Sequence, residues 1–276
     1  MGRGKRAFPS RPQRGGGWSL SGKLVLTGIC LLSALLGALF LLPRDKQAAE
    51  APLRVGAGDD VTGVLLSEVE ACAERGDREN LLIGSYLFVD CCASAAQWAL
   101  QAEEIDLGFY CAQAALEMVN HTDAFEIYGP IVQNGEVIAC LDPQGEMEIL
   151  GLPRKRIFLR DFAEKTYPRL QSYTELNRAY LLFALESGEV DGAVVDVADA
   201  HRAGEDVRFL PTSETPYISY CLVVRRDIKE TGAFMKFLDY YEEAVNALNE
   251  PERLVSVMGM DEDFWALCGT EFLHLP

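Results

Sequence analysis

The sequence predicts an α/β protein of two similar lobes behind an N-terminal membrane-spanning helix. Three observations lead there. Strand-like and helix-like segments alternate from residue 53 in the order β-α-β-α-β-α, which argues for a parallel sheet with helices on its faces. One helix-to-strand junction occurs twice: residues 99–106 read ALQAEEID and residues 184–191 read ALESGEVD. Each is a helix end, then a Glu, a β-branched residue and an Asp entering a strand. A nineteen-residue run without charge also separates a basic tail from an acidic body.

That run is Leu24–Leu42, LVLTGICLLSALLGALFLL. A hydrocarbon core of about 30 Å needs about 20 helical residues. The tail, residues 1–23, carries Arg3, Lys5, Arg6, Arg11, Arg14 and Lys23 and no acidic residue. The rest of the chain holds 19 of the 25 basic residues against all 42 acidic ones. The positive-inside rule therefore puts the tail in the cytoplasm and the acidic body outside. A cleaved signal peptide is the rival, but its apolar region is shorter. The nearest small-x-small site, Ala49-Glu50-Ala51, would leave Pro52 after the cut. A lipoprotein reading of Cys30 fails on the preceding Ile29. Residues 43–52 read as a polar linker.

The body has the composition of a globular protein, with 49% hydrophobic residues, so disorder is excluded for its bulk. A net charge of −17 argues against a phosphate-binding face and hence against nucleic acid. Residues 53–58 form a short apolar strand. Residues 61–76 carry helical apolar spacing at Val61, Val64, Leu65, Val69 and Cys72, ending at Gly76. Residues 81–89 read as a strand, 93–104 as a helix, 105–110 as a strand and 112–120 as a helix. An extended stretch spans 125–141, broken at Gly129-Pro130 and Asn134-Gly135. Helices are expected over 160–166 and 174–187, and strands over 190–195, 207–210 and 217–225. The end is helical over 231–248, 251–258 and about 261–267.

The first strand LRVGAG, the segment WALQAEEIDLGFY and the later FALESGEVDGAVVD, behind an anchor, resemble ABC-transporter substrate-binding proteins of the type II periplasmic fold. The nitrate, sulfonate and thiamine-precursor group is the most similar. The resemblance covers about residues 53–260. It implies lobes over 53–130 and 131–217, with residues 218–276 returning to the first lobe as a strand and helices. It also implies a hinge of two crossing strands, about Gly129–Leu141 and Tyr217–Val224, with ligand in the cleft. ABC permease and ATPase subunits are the implied partners. No cofactor is implied.

Eight cysteines carry the specific chemistry, seven of them beyond the anchor. An odd number leaves a thiol free or marks a reducing setting. Cys91 and Cys92 are adjacent, follow a strand and precede a helix. That places both sulfurs at the C-terminal edge of a parallel sheet, where ligands of open α/β sheets bind. A helix N-terminus favours thiolate, and two thiolates select soft metal or organometal cations. Cys111 ends the next strand at the same edge. Cys140 and Cys221 fall on the proposed crossing strands and would face each other if those strands paired. The segment Gly56-Ala57-Gly58-Asp59-Asp60 at the end of the first strand, with Gly58 and Asp59 as its site candidates, could add backbone N–H groups and a carboxylate to the cleft, although a plain strand-to-helix turn with an N-cap explains it as well. Cys72 and Cys268 read as core.

The VDCCAS segment is similar to the substrate-binding members of the selenocysteine-assisted organometal (Sao) transport system. That resemblance implies an organomercury-like ligand held by Cys91 and Cys92. The alternative is a thiol-based oxidoreductase or demetallating enzyme on the same fold, and a ligand-free sensor or scaffold is a third reading. His121, His201 and His274 match no zinc spacing, and no Ser-His-Asp order, P-loop or dinucleotide fingerprint occurs.

Overall fold

The computed structural model describes residues 52–76, 83–88, 94–142 and 146–276. The predicted tail and anchor, all of the linker but Pro52, and Cys91 and Cys92 lie outside the described residues. Among the described residues no helix is long and apolar enough to cross a membrane.

The first lobe is built from β1 (Leu53–Gly58), α1 (Val61–Gly76), β2 (Ile83–Phe88), α2 (Ser94–Gln101), β3 (Leu107–Cys111), α3 (Ala112–His121) and β4 (Phe125–Gln133). The second holds β5 (Glu136–Cys140), β6 (Ile149–Pro153), α4 (Phe158–Thr166), β7 (Ser172–Leu176), α5 (Leu181–Glu186), β8 (Gly192–Asp196) and β9 (Arg208–Pro211). The chain then returns through β10 (Ile218–Arg225) to α6 (Gly232–Leu248), α7 (Pro251–Met258), α8 (Glu262–Cys268) and β11 (Glu271–Phe272).

The sheets run β11-β4-β10-β3-β1-β2 and β7-β6-β8-β5-β9. Both are mixed and share one plan. In the first, β1 lies parallel between β2 and β3, and β10 runs antiparallel beside β3. In the second, β6 lies parallel between β7 and β8, and β5 runs antiparallel beside β8.

The repeated junction has the same backbone in each lobe. Ala99 O accepts from the N–H of Glu104 and Ile105, and Ala184 O from Glu189 and Val190. Asp106 donates its N–H to Arg54 O and accepts the Arg54 N–H on its carboxylate; Asp191 does the same with Ile149. Glu103 and Gly188 occupy matching positions, with φ of 58° and 74°. The two aspartates thus tie each strand to its neighbour.

Two expectations need correction. Residues 174–187 are not one helix: β7 ends at Leu176, a 3₁₀ turn spans Arg178–Tyr180, and only Leu181–Glu186 is α-helical. β7 is an edge strand with a mostly exposed polar sequence, so no apolar alternation marks it. The cross-over segments are also shorter than expected. β4 stays in the first sheet to Gln133, so residues 131–133 belong to the first lobe, and β10 lies wholly in that sheet. The chain crosses at Asn134-Gly135 and again over residues 212–217. Asn134 N–H donates to Tyr217 O at 3.0 Å, and Tyr217 N–H to Asn134 Oδ1 at 3.1 Å. Thr270 Oγ1 donates to Asn134 O and Asn134 Nδ2 to Gly269 O, so the C-terminal segment straps the same point.

The first core forms because α1 and α6 each present an apolar stripe. Leu65, Val69 and Cys72 are buried on α1, and Phe234, Phe237, Tyr241 and Val245 on α6. Phe109 of β3 meets Phe237 and Tyr241, with ring centroids 6.5 Å apart in each case. Each such side chain contributes about 1.5–3 kcal/mol on burial. Thr231 caps α6 by accepting the Phe234 N–H. α8 instead reaches the second sheet, where Phe264 packs edge-on against Phe209 of β9. The C-terminal helices therefore serve both lobes.

Candidate functional site

The lobes meet along a seam of buried charge. The first lobe contributes Asp59 and Asp60 at the end of β1, Thr62 in the first turn of α1, and Tyr220 of β10. The second contributes Glu136 at the start of β5, Arg156 after β6, Arg178 after β7, Asp196 at the end of β8, and Asp199 just beyond it. Asp60, Glu136, Arg156, Asp196 and Tyr220 are all at most 3% exposed.

Several contacts cross the seam. Arg178 Nη1 donates to Asp59 Oδ1 and Nη2 to Asp59 O, both at 2.6 Å, while Nε donates to Asp199 Oδ2 at 2.8 Å. Asp196 Oδ1 accepts the Val61 N–H at 2.9 Å, so a carboxylate of one lobe caps a helix of the other. Tyr220 Oη lies 2.8 Å from Asp196 Oδ2 and 3.1 Å from Asp60 Oδ2, and accepts Arg156 Nη2 at 2.6 Å. The Arg156 guanidinium also sits 4.8 Å from the Tyr220 ring centroid.

Each carboxylate is held by a second set of bonds. Asp60 Oδ1 accepts the Thr62 N–H at 3.0 Å and the Thr62 hydroxyl at 2.5 Å. Glu136 pairs with Arg156 and accepts the hydroxyls of Ser219 at 2.6 Å and Tyr217 at 3.1 Å. Gly63 of α1 packs so closely on the Gly58 carbonyl that a Cβ there would collide with the backbone.

Carboxylates outnumber guanidiniums in this seam, and the electrostatics follow. Burial, and then the Asp60 charge, push the Asp196 carboxyl up to about 8, against the pull of Arg178 and Arg156. Burial likewise raises Glu136, although Arg156, Ser219 and Tyr217 oppose it. Burial alone would lower Arg178; the carboxylates of Asp196, Asp199 and Asp60 overcome it and keep the guanidinium charged. The fold thus disfavours the charged form of Asp196 relative to a free carboxyl. A hollow of about 330 Å³ opens beside these groups, with Gly58, Asp59 and Leu87 on one wall and Ala198, Asp199 and Arg202 on the other.

Of the residues singled out in the sequence, Gly58, Asp59 and Asp60 lie in this seam. Gly58 donates its N–H to Thr62 Oγ1 at 2.9 Å. Cys111 ends β3 directly opposite Tyr220, fully buried. Cys140 and Cys221 do not come together: Cys140 pairs with Gly192 and Arg208 in the second sheet, and Cys221 with Tyr110 and Pro130 in the first. They sit apart because β10 pairs with β4, not with β5. Burial pushes the thiols of Cys72 and Cys221 up to about 11 and that of Cys268 up to about 12, and it raises Cys140 too. Among the described residues no group of three or more His, Cys, Asp or Glu is arranged to hold a metal ion. β2 ends and α2 begins on either side of Cys91 and Cys92.

Glu136, Arg156, Arg178, Asp196 and Tyr220 were not anticipated. The one available signal was position: Arg156, Arg178 and Asp196 each stand at or just beyond a strand end, and Glu136 is a lone charge entering an apolar strand.

Solved structures share this two-lobed arrangement. The zinc-bound ligand-binding component of an ABC-type import system from Staphylococcus aureus matches with a TM-score of 0.65 at 14% identity, covering 82% of this chain and 86% of that one. The chain has the fold of ABC-importer solute-binding proteins. The alkanesulfonate-binding protein SsuA from Xanthomonas axonopodis pv. citri, bound to MOPS, matches at 0.56 and 16% identity over 82% of this chain and 84% of its own. The methionine-binding protein MetQ matches at 0.56 and 15% over 81% and 98%. No protein-family model and no curated protein matches the chain in sequence.

Proposed function

We propose that this chain is the solute-capturing component of an ABC importer. Its lobes close over a small solute outside the cytoplasm and present it to a permease served by an ATPase. The observation that carries this reading is the seam, in which Arg178 and Asp196 of one lobe grip Asp59 and the α1 N-terminus of the other across two short cross-overs. Such a joint can open and shut as a hinge. The uncharged run Leu24–Leu42 would tether the body to the membrane, with the basic tail inside.

The narrower reading is that the solute is thiol-reactive, a soft metal or organometal cation, with Cys91 and Cys92 as its anchor. What supports it is the adjacency of the two cysteines between β2 and α2, and the character of the other thiols. Cys72, Cys140, Cys221 and Cys268 are buried with raised pKa values, which keeps them protonated and poor as ligands. The same upward shifts speak against those four as the activated thiol an enzyme would need.

The test is titration of methylmercury chloride into the reduced full-length chain, read by native mass spectrometry. A one-to-one complex is expected. It should weaken at least tenfold in Cys91→Ser and in Cys92→Ser, because a second soft donor acts at high effective concentration. Cys72→Ser should bind as the parent does. Equal binding by all three variants would remove the cysteine anchor and leave the solute to be sought in the ionic seam.

A further inference from the structure

The two lobes meet around one phenol. Tyr220 Oη, from the first lobe, lies 3.1 Å from Asp60 Oδ2 of its own lobe and 2.8 Å from Asp196 Oδ2 of the other. It also accepts Arg156 Nη2 at 2.6 Å. A phenol carries one hydrogen, so it donates fully to only one of two ionised carboxylates. The other contact becomes a hydrogen bond when the second carboxyl brings a proton of its own and donates to the phenol oxygen. The outer oxygens are taken by donors: Asp60 Oδ1 accepts the Thr62 N–H and hydroxyl, and Asp196 Oδ1 accepts the Val61 and Ala198 N–H groups. That proton therefore belongs on an Oδ2, facing the phenol.

The charges packed around this trio point the same way. The first lobe brings Asp59 and Asp60 from the end of β1. The second brings Glu136 from β5, Arg156 from beyond β6, Arg178 from beyond β7, Asp196 from β8 and Asp199 after it. Two guanidiniums thus face five carboxylates. Arg156 is engaged by Glu136 and the phenol, and Arg178 by Asp59 and Asp199; they stand 3.6 and 3.9 Å from Asp60 Oδ2. Arg202, 62% exposed, pairs with Asp199 at 2.9 Å on the outer side. Burial and the Asp60 charge push Asp196 upward here. When the lobes part, Asp196 exchanges Tyr220, Asp60 and the Val61 N–H for water, and both causes vanish.

We propose that closing the lobes takes up one proton from solvent, shared by Asp60 and Asp196 across Tyr220, so that acid pH holds the receptor shut and alkaline pH releases it. The proposal rests on the solute-receptor reading and is independent of the cysteines. The closed form binds this proton more tightly than the open form does. Its advantage is therefore complete at acid pH and is lost as pH rises through the range where the closed seam titrates. A solute that needs closed lobes is held more tightly in acid surroundings.

The Val61 N–H reads the joint directly, because it is donated across the seam to Asp196 Oδ1 and is freed when the lobes part. The experiment is residue-resolved hydrogen exchange on the full-length chain at pH 5, 6 and 7, corrected for the intrinsic pH dependence of amide exchange. The Phe109 N–H, on the central strand β3, reports global unfolding. Val61 should exchange faster than Phe109, and its opening constant should rise about tenfold per pH unit, the limit for one proton. Asp196→Asn and Asp60→Asn each leave one carboxylate for the one phenol hydrogen and keep the Oδ1 acceptor. Each should flatten the rise to less than about twofold per unit, with circular dichroism as the folding control. A flat opening constant in the parent, or the parent's slope persisting in either variant, overturns the proposal; Val61 exchanging faster than Phe109 then leaves the receptor reading standing. Val61 exchanging only as fast as Phe109 at every pH would mean that the lobes part only on unfolding, and would sink the receptor reading as well.

Discussion

Asp196→Asn tests the charge balance of the seam with almost no change of shape. Asp196 Oδ1 accepts the N–H groups of Val61 and Ala198 at 2.9 and 3.0 Å, and Asn keeps that oxygen. Its other oxygen faces Tyr220 Oη at 2.8 Å, where the Asn amide can donate instead. What changes is one ionisable group. In the unfolded chain an Asp titrates near 3.9; in the fold Asp196 is pushed up to about 8, by burial first and then by Asp60. Between these values the native state holds one proton that the unfolded state has lost. Unfolding free energy must then fall as pH rises, by up to about 1.4 kcal/mol per pH unit from this group. The contribution is fully present below about pH 4 and is lost once pH passes 8. The assay is urea unfolding of the parent and Asp196→Asn at pH 5, 6, 7 and 8, followed by tryptophan fluorescence. The variant should gain on the parent with each unit up to about 8 and then hold its lead. Parallel stability profiles would refute the reasoning, since they would mean Asp196 titrates alike in both states.

Three further outcomes follow from single positions. Glu103→Gly should stabilise the protein by about 0.5–1 kcal/mol in urea unfolding, because a side chain is held there at φ 58° where the matching residue of the other lobe is Gly188. Asn134→Ala should cost about 2–3 kcal/mol and should speed hydrogen exchange at Tyr217, since it removes one bond to Tyr217 and one to Gly269 at the cross-over. Gly63→Ala should destabilise by at least about 2 kcal/mol in thermal or urea unfolding, because the added methyl meets the Gly58 backbone, which cannot move aside cheaply.

The architecture was legible wherever local pattern decides it. The alternation of apolar strands and helices located β1, α1, β3, α3, β10 and α6 to within a residue or two. The repeated ALQAEEID and ALESGEVD segments disclosed the two-lobe plan, because a helix-to-strand junction of fixed geometry needs a residue with positive φ and an Asp in the same places. β7 was lost since an edge strand exposed on both sides has no apolar period. β6, ILGLP, was lost since it is short and interrupted by Gly and Pro. The seam was illegible for a different reason. Arg178 and Asp59 stand 119 residues apart, and Val61 and Asp196 stand 135 apart. Each reads alone as a solvated charge or a turn, and only the folding of the two lobes against each other brings them into one network. The cysteine pattern drew attention to Cys140 and Cys221, which the strand pairing separates into two cores. Gly58, Asp59 and Asp60 were the part of the seam that a strand-end motif could reveal.

The central claim is that the two lobes are hinged bodies held together by Arg178 and Asp196. The most direct measurement is the distance between the lobes in the full-length chain without solute. Spin-bearing non-cysteine amino acids at Ser67, which lines the first-lobe wall of the seam hollow, and at the exposed Glu205 of the second lobe would report it by pulsed electron resonance. The parent should give a narrow distribution at short distance. Arg178→Ala, which releases Asp59 and Asp199 together, should shift it to longer and broader distances. Superimposable distributions in the two proteins would contradict the account, because the seam would then be a fixed core contact and not the closing face of a receptor.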